Sequence, residues 1–166
     1  MTTFGFIGTG HLGSMLVRKF VETGAIDEKD IMASNRDLAK ARRLAAEAGI
    51  QVGSNRDVAD QSDVIFLCVR PLDVKGVLGE LEDLLVADKL LISVAVDFPL
   101  KELQRLCKAR AARVIPSIAC ENLLGVSLLA MGNNAALQDK ELIFSLFAAL
   151  GDPVEVPEDH FEVLAD

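Results

Sequence analysis

Thr3-Phe4-Gly5-Phe6-Ile7-Gly8-Thr9-Gly10-His11-Leu12-Gly13 opens the chain and decides how the rest is read. Phe4, Phe6 and Ile7 make a short apolar run with the character of a buried strand. Gly8 to Gly13 then fit G-x-G-x-x-G, at the point where an amphipathic helix begins. Each glycine has a physical task there. Gly8 permits a tight turn off the strand, Gly10 lets the main chain approach a pyrophosphate, and Gly13 lets the helix pack closely on the sheet. The helix then directs free N–H groups and the positive end of its dipole at the phosphates. Glycine turns are common, so the pattern draws its force from the strand before it and the helix after it. Thr9, His11 and Leu12 complete the predicted cofactor loop; His11 is read either as a phosphate or nicotinamide contact or as a solvent-facing residue at a helix start.

Outward from this loop, strands and helices alternate. The first helix is predicted from His11 to Thr23 with Gly24 as its cap. A second strand follows over Asp30–Asn35, then a helix over Asp37–Ala48 closed by Gly49, and a short strand over Ile50–Val52. Ser54, Asn55 and Asp57 cap a brief helix. Asp63–Val69 is an unbroken apolar run, as expected of a central parallel strand covered on both faces. Pro71 starts a helix reaching Leu85, Leu90–Val96 is the fifth strand, and Pro99 starts a helix ending near Arg110. Short strands are expected at Arg113–Ile115 and Val126–Met131. A helix over Leu137–Leu150 capped by Gly151 and a last strand at Val154–Val156 follow. This alternation predicts an α/β, Rossmann-type doubly wound, mostly parallel sheet of order 3-2-1-4-5-6 plus two edge strands. Residues 1–157 form the predicted dinucleotide-binding domain. Residues 158–166 begin a helix of about two turns, too short to be stable alone, which is expected to lead to a missing C-terminal domain or a partner chain.

The 166 residues suffice for one domain that buries roughly 70% of its unfolded surface. Hydrophobic residues make up 51% and charged residues 25%, with a mean hydropathy of +0.32. That hydropathy requires either a sheet buried on both faces or a covered apolar patch. A net charge of −8, with no basic stripe and no Trp or Tyr, argues against nucleic acid and anionic membrane as partners. No signal peptide or membrane span is read, and Cys68, Cys107 and Cys120 are too widely spaced for a redox or metal pair. A cytoplasmic protein without a metal is therefore expected.

The residues about 20 positions beyond the glycines choose the dinucleotide. NAD sites place Asp or Glu there, whereas NADP sites place Arg and small polar groups around the 2′-phosphate. Here the residues are Ser34-Asn35-Arg36. Arg36 can pair a phosphate through two parallel hydrogen bonds or stack on adenine, with Ser34 and Asn35 donating to the same oxygens. Asp37, one step on, is read as a helix cap. Val69, Arg70 and Pro71 end the fourth strand and Ala95 lies near the end of the fifth. Main-chain groups of Val69 and Ala95 are placed to hold the nicotinamide ribose and carboxamide.

Taken together, Phe6-Ile7-Gly8-Thr9-Gly10-His11-Leu12-Gly13, Ala33-Ser34-Asn35-Arg36, Val69-Arg70-Pro71, Ile92-Ser93-Val94-Ala95 and Arg113-Val114-Ile115-Pro116-Ser117 resemble the pyrroline-5-carboxylate reductase family. Leu146-Phe147 and Gly151-Asp152-Pro153-Val154 fit as well. The resemblance implies an NADP(H)-dependent oxidoreductase that passes hydride to a C=N bond of a small cyclic imine, as in proline biosynthesis. It also implies a homodimer through a helical C-terminal domain. Divergent reductase-like and competence-operon relatives resemble the chain to a similar extent, and deazaflavin-coenzyme-dependent NADP reductases share its first half. The family usually has Val-Lys-Pro where this chain has Val69-Arg70-Pro71. It usually has Met-Pro-Asn-Thr-Pro where this chain has Ile115-Pro116-Ser117-Ile118-Ala119, and a small glycine where this chain has Asp97. Ser117, Cys120, Glu121 and Asn122 follow the sixth strand and are the candidates for a substrate-facing loop. No side chain is singled out as a required acid or base, since hydride chemistry belongs to the cofactor. A non-catalytic NADP-binding or regulatory module is the alternative reading, and a purely structural domain conflicts with the intact glycines.

Overall fold

In the computed structural model, which describes residues 1–161, strand β1 (Phe4–Ile7) lies inside one eight-stranded sheet. The others are β2 (Ile31–Ser34), β3 (Gln51–Val52), β4 (Val64–Leu67), β5 (Leu90–Ser93), β6 (Arg110–Pro116), β7 (Gly125–Met131) and β8 (Gly151–Glu155). Their order is β3-β2-β1-β4-β5-β6-β7-β8, the expected doubly wound order with two strands added beyond β6. Pairing is parallel except between β6 and β7, where Arg113 faces Ala130 in an antiparallel register. β8 runs parallel to β7.

The helices are α1 (His11–Glu22), α2 (Leu38–Ala48), α3 (Asn55–Gln61), α4 (Pro71–Leu81), α5 (Leu100–Leu106) and α6 (Leu137–Ala148). Alternate strand residues feed two cores. Phe4, Phe6, Val64, Phe66, Leu90, Ile92 and Val114 meet α1, α2 and α6. Ile7, Ile65, Leu67, Leu91 and Ala111 meet α3, α4 and α5. The high hydropathy is thus explained by a sheet covered on both faces. On the first face four phenylalanines interlock: Phe6 stacks on Phe66 at 4.6 Å between ring centroids, and Phe20 of α1 meets Phe147 of α6 edge-on at 5.5 Å.

Several boundaries differ from expectation for identifiable reasons. α5 ends at Leu106 rather than near Arg110, because Cys107 is extended and Arg110 already belongs to β6. β6 is seven residues long instead of three. Its charges are neutralised inside the fold, Arg110 by a two-bond pair with Asp139 (2.7 and 3.0 Å). α4 stops at Leu81, although Leu85 is still buried beneath it. Gly151, read as a helix cap, opens β8 opposite Gly125. The connection after β6, read as a loop, contains a 3-10 turn over Ile118–Asn122. Past Pro157 a 3-10 turn spans Glu158–His160 and Phe161 is buried. The remainder of the helix expected over 158–166 lies outside the described residues from 162 onward. No helix among the described residues is long and apolar enough to cross a membrane.

Candidate dinucleotide-binding site

The C-terminal ends of β1, β2, β4 and β5 meet around the glycine loop, because these strands are parallel neighbours. Gly8 turns the chain off β1 with φ +101°, its N–H donating to Ser34 O at 2.9 Å. A Cβ at Gly13 would lie 2.1 Å from Gly8 O, so only glycine lets α1 rise this close to the strand. The loop is held from the side: Thr9 N–H donates to Asn35 Oδ1 (3.0 Å) and Ser14 Oγ donates to Thr9 O (2.9 Å).

Three features of this loop fit an anion. α1 has Gly10 as its N-cap, so no side chain caps it, and no acidic residue occupies its first turn. A Cβ at Gly10 would meet nothing within 4 Å, leaving bare main chain open above the helix start. The Thr9 hydroxyl is buried without a hydrogen-bond partner among the described residues. A buried unpaired hydroxyl is costly, and a phosphate oxygen is the acceptor it lacks. With the free first-turn N–H groups and the helix dipole, these residues fit the diphosphate of a dinucleotide.

Beyond the end of β2, Arg36 is 79% exposed and its Nη2 donates to Asp73 Oδ1 at 2.9 Å, while Arg70 Nε donates to Asp73 Oδ2 at 2.9 Å. The Arg70 guanidinium, with that of Arg36, holds the Asp73 carboxyl below the usual carboxylate range. Asp37 caps α2 by accepting from Ala39 N–H, as read from its position. Ser34 corrects the expectation placed on it. Its side chain is buried and donates to Asn55 Oδ1 at 2.7 Å instead of facing a phosphate. Asn35 likewise spends its amide on the loop, accepting from Thr9 N–H and donating to Asp37 O.

Val69 and Pro71 are half-buried and Arg70 is exposed beside the loop; Val69 lies against Gly8. Leu12 packs against the first core. Cys68, next to Gly13, has its thiol pushed up to about 12 by burial and stays protonated. Ala95 is buried; its N–H donates to Ser93 Oγ and its carbonyl accepts from Arg113 Nη2, leaving one free lone pair on that oxygen.

The loop after β6 contributes less than expected. Cys120 is fully buried with Sγ 3.6 Å from Ser127 Oγ, so it does not face a substrate. Ser117 Oγ accepts from Val126 N–H and fastens the turn into β7. Glu121 reaches the glycine helix, its Oε1 3.3 Å from His11 Nε2. Asn122 is exposed. Asn55, Asp73 and Arg113 were not read as site residues. Asn55 reads as a helix-start residue, no local motif marks Asp73, and Arg113 stands out only as part of a segment that resembles the family. Arg113 is in fact buried, with Nη1 donating to Glu158 Oε1 and Nη2 to the carbonyls of Ala95 and Val96. It borders a cavity of about 470 Å³ shared with Val96, Asp97, Ile115, Glu158 and Phe161.

Residues 3–97 match the family described as NADP oxidoreductase, coenzyme F420-dependent. The chain is 34% identical over 157 residues to a pyrroline-5-carboxylate reductase of Methanosarcina acetivorans, covering 93% of this chain and 58% of that protein. It is 32% identical over 164 residues to ComE operon protein 4 of Bacillus subtilis, covering 98% and 60%. The solved structure of a pyrroline-5-carboxylate reductase from Coxiella burnetii superposes with a TM-score of 0.93 at 28% identity, over 99% of this chain and 62% of that one. The chain therefore spans about 60% of the length of these relatives.

Proposed function

This chain belongs to the NADP oxidoreductase, coenzyme F420-dependent family, and on that premise we propose that it is the NADPH-binding half of a reductase acting on the C=N bond of a small cyclic imine. One observation carries the reading: the uncapped start of α1 with the orphaned Thr9 hydroxyl beneath it, open at Gly10 and flanked by Arg36 and Arg70. Gly8 to Gly13 hold the diphosphate, Arg36 and Arg70 hold the adenosine 2′-phosphate, and Val69, Pro71 and Ala95 line the nicotinamide side. Ser34 and Asn35 act one step back, by fixing Asn55 and the loop. When bound, NADPH supplies the hydride. This chain's residues bind and orient it and exclude water along β4 and β5.

The relatives named as pyrroline-5-carboxylate reductases support proline formation as the reaction of the whole protein. Residues 158–166 then lead into a helical C-terminal domain that forms the homodimer and completes the substrate pocket, with Glu121 and Asn122 at its edge. Exposed Ile118 and Leu124 on the turn after β6 are apolar enough to meet such a domain. A binding module without turnover is the second reading, favoured by Ser117 and Cys120 being committed to the fold.

Titration of the protein with NADPH and NADH, followed by fluorescence, tests the cofactor. Arg36→Ala is expected to weaken NADPH by about 1.5–3 kcal/mol, the worth of a hydrogen bond to a charged group, and NADH far less. Equal losses would remove the 2′-phosphate role. Turnover of NADPH with pyrroline-5-carboxylate by the chain joined to the sequence encoded beyond Asp166 separates the two readings. Cofactor binding without oxidation would select the module.

A further inference from the structure

Asp73 stands between the two guanidiniums assigned to the adenosine 2′-phosphate and takes one hydrogen bond from each, at 2.9 Å on either oxygen. Arg36 follows β2, Arg70 is the N-cap of α4 just after β4, and β2 and β4 flank β1 on opposite sides. The carboxylate therefore joins the two walls of the cleft above the glycine loop. A carboxylate and a phosphate offer guanidinium groups the same in-plane acceptor pairs. We propose that Asp73 is an internal anion that competes with the adenosine 2′-phosphate for Arg36 and Arg70, and so limits how strongly this chain prefers NADPH to NADH. The inference rests on the reading of this cleft as an NADP site.

The three side chains differ in what they are free to do. Both arginines are largely exposed, at 79% and 73%, on long stems that can turn toward an incoming phosphate. Asp73 is only 23% exposed and sits in the first turn of α4, where a negative charge is favoured by the helix dipole. Its carboxyl is held in the charged form by the bond from Arg70, reinforced by Arg36. The arginines thus re-aim while the negative charge stays beside the phosphate dianion. NADH has a hydroxyl at that place, which Asp73 accepts from instead of repelling. Breaking two exposed ion pairs and bringing like charges within a few ångströms corresponds to roughly a three- to tenfold penalty on the phosphate.

Calorimetric titration of the protein and of Asp73→Asn with NADPH, NADH and adenosine 2′,5′-bisphosphate tests this. Asn keeps the shape of the side chain and removes the charge. The Kd for NADPH and for the bisphosphate is expected to fall about three- to tenfold in the variant, with that for NADH unchanged or higher. Asp73→Ser serves the same comparison if the Asn variant does not fold. A parent protein that binds NADPH while the substitution leaves that affinity unchanged, or lowers it, overturns the role given to Asp73 and leaves the NADP site standing. A parent that binds neither dinucleotide nor the bisphosphate overturns the NADP site and this inference together.

Discussion

Two of the loop's three glycines, Gly10 and Gly13, have opposite tolerance, which separates its folding role from its binding role. Gly10 has open space where a Cβ would go and an ordinary extended conformation (φ −71°), so Gly10→Ala should melt within about 0.5 kcal/mol of the parent. The added methyl stands where the diphosphate must approach, and NADPH binding should fall at least about tenfold, as expected when close main-chain contact is lost. Gly13→Ala should instead destabilise by about 1–3 kcal/mol, because its Cβ would sit 2.1 Å from Gly8 O. Thermal melts beside NADPH titrations check both. Thr9→Val is predicted to leave the free protein equally or more stable, since the hydroxyl it removes has no partner, yet to weaken NADPH. If Thr9→Val binds NADPH like the parent, the hydroxyl does not serve the phosphate. At this scale the tight turn at Gly8 and the close helix packing at Gly13 are legible in the sequence, because each demands glycine at a set spacing. It misled at Ser34, whose type suits a phosphate but whose side chain is buried toward Asn55. It was silent on Asp73, because only the assembled cleft brings Arg36 and Arg70 to one carboxylate.

Among elements, α6 depends on a partner the sequence hid. Its third residue, Asp139, accepts from the backbone N–H of Ala136 at 2.8 Å and from Arg110 of β6. Burial raises the Asp139 carboxyl, but the bonds from Arg110 and Ala136 outweigh it and the net shift is downward. A lowered carboxyl stabilises fully above its unfolded value of about 3.9 and progressively less as pH falls through its folded value below that. The melting temperature of Asp139→Asn should therefore lie below the parent's at neutral pH, by an amount equivalent to about 2–3 kcal/mol, and the gap should narrow in acid below about pH 4. A gap independent of pH would show that packing alone is lost. Arg110 is also why β6 was read too short. Its charge, where the preceding helix was expected to end, has no visible place in a strand until Asp139, 29 residues on, supplies the countercharge. Strands without charges, such as β4 and β5, are legible within a few residues because their apolar runs fit only a sheet covered on both faces.

For the whole molecule, stability lies in two cores, and the first is joined across the sheet by phenylalanines. Phe147→Ala should cost about 3–5 kcal/mol, a large share of the 5–15 kcal/mol by which domains are stable. Because Phe147 touches Phe20 of α1, the loss should also loosen the helix at whose start we propose the diphosphate to bind. Hydrogen exchange at α1 amides, compared with those of α5 on the opposite face, checks this; equal acceleration on both faces would mean that the cores do not act separately. That α6 lies beside α1 at all traces to the direction of one strand. Crossovers between parallel strands keep a single handedness. Moving outward through α4 and α5, that rule puts each helix on the second face. Inverting β7 relative to β6 reverses the sense of the next step, so the same rule carries α6 to the first face. An antiparallel turn near one rim of the sheet thus sets a neighbour against the helix that starts at the glycine loop, several strands away.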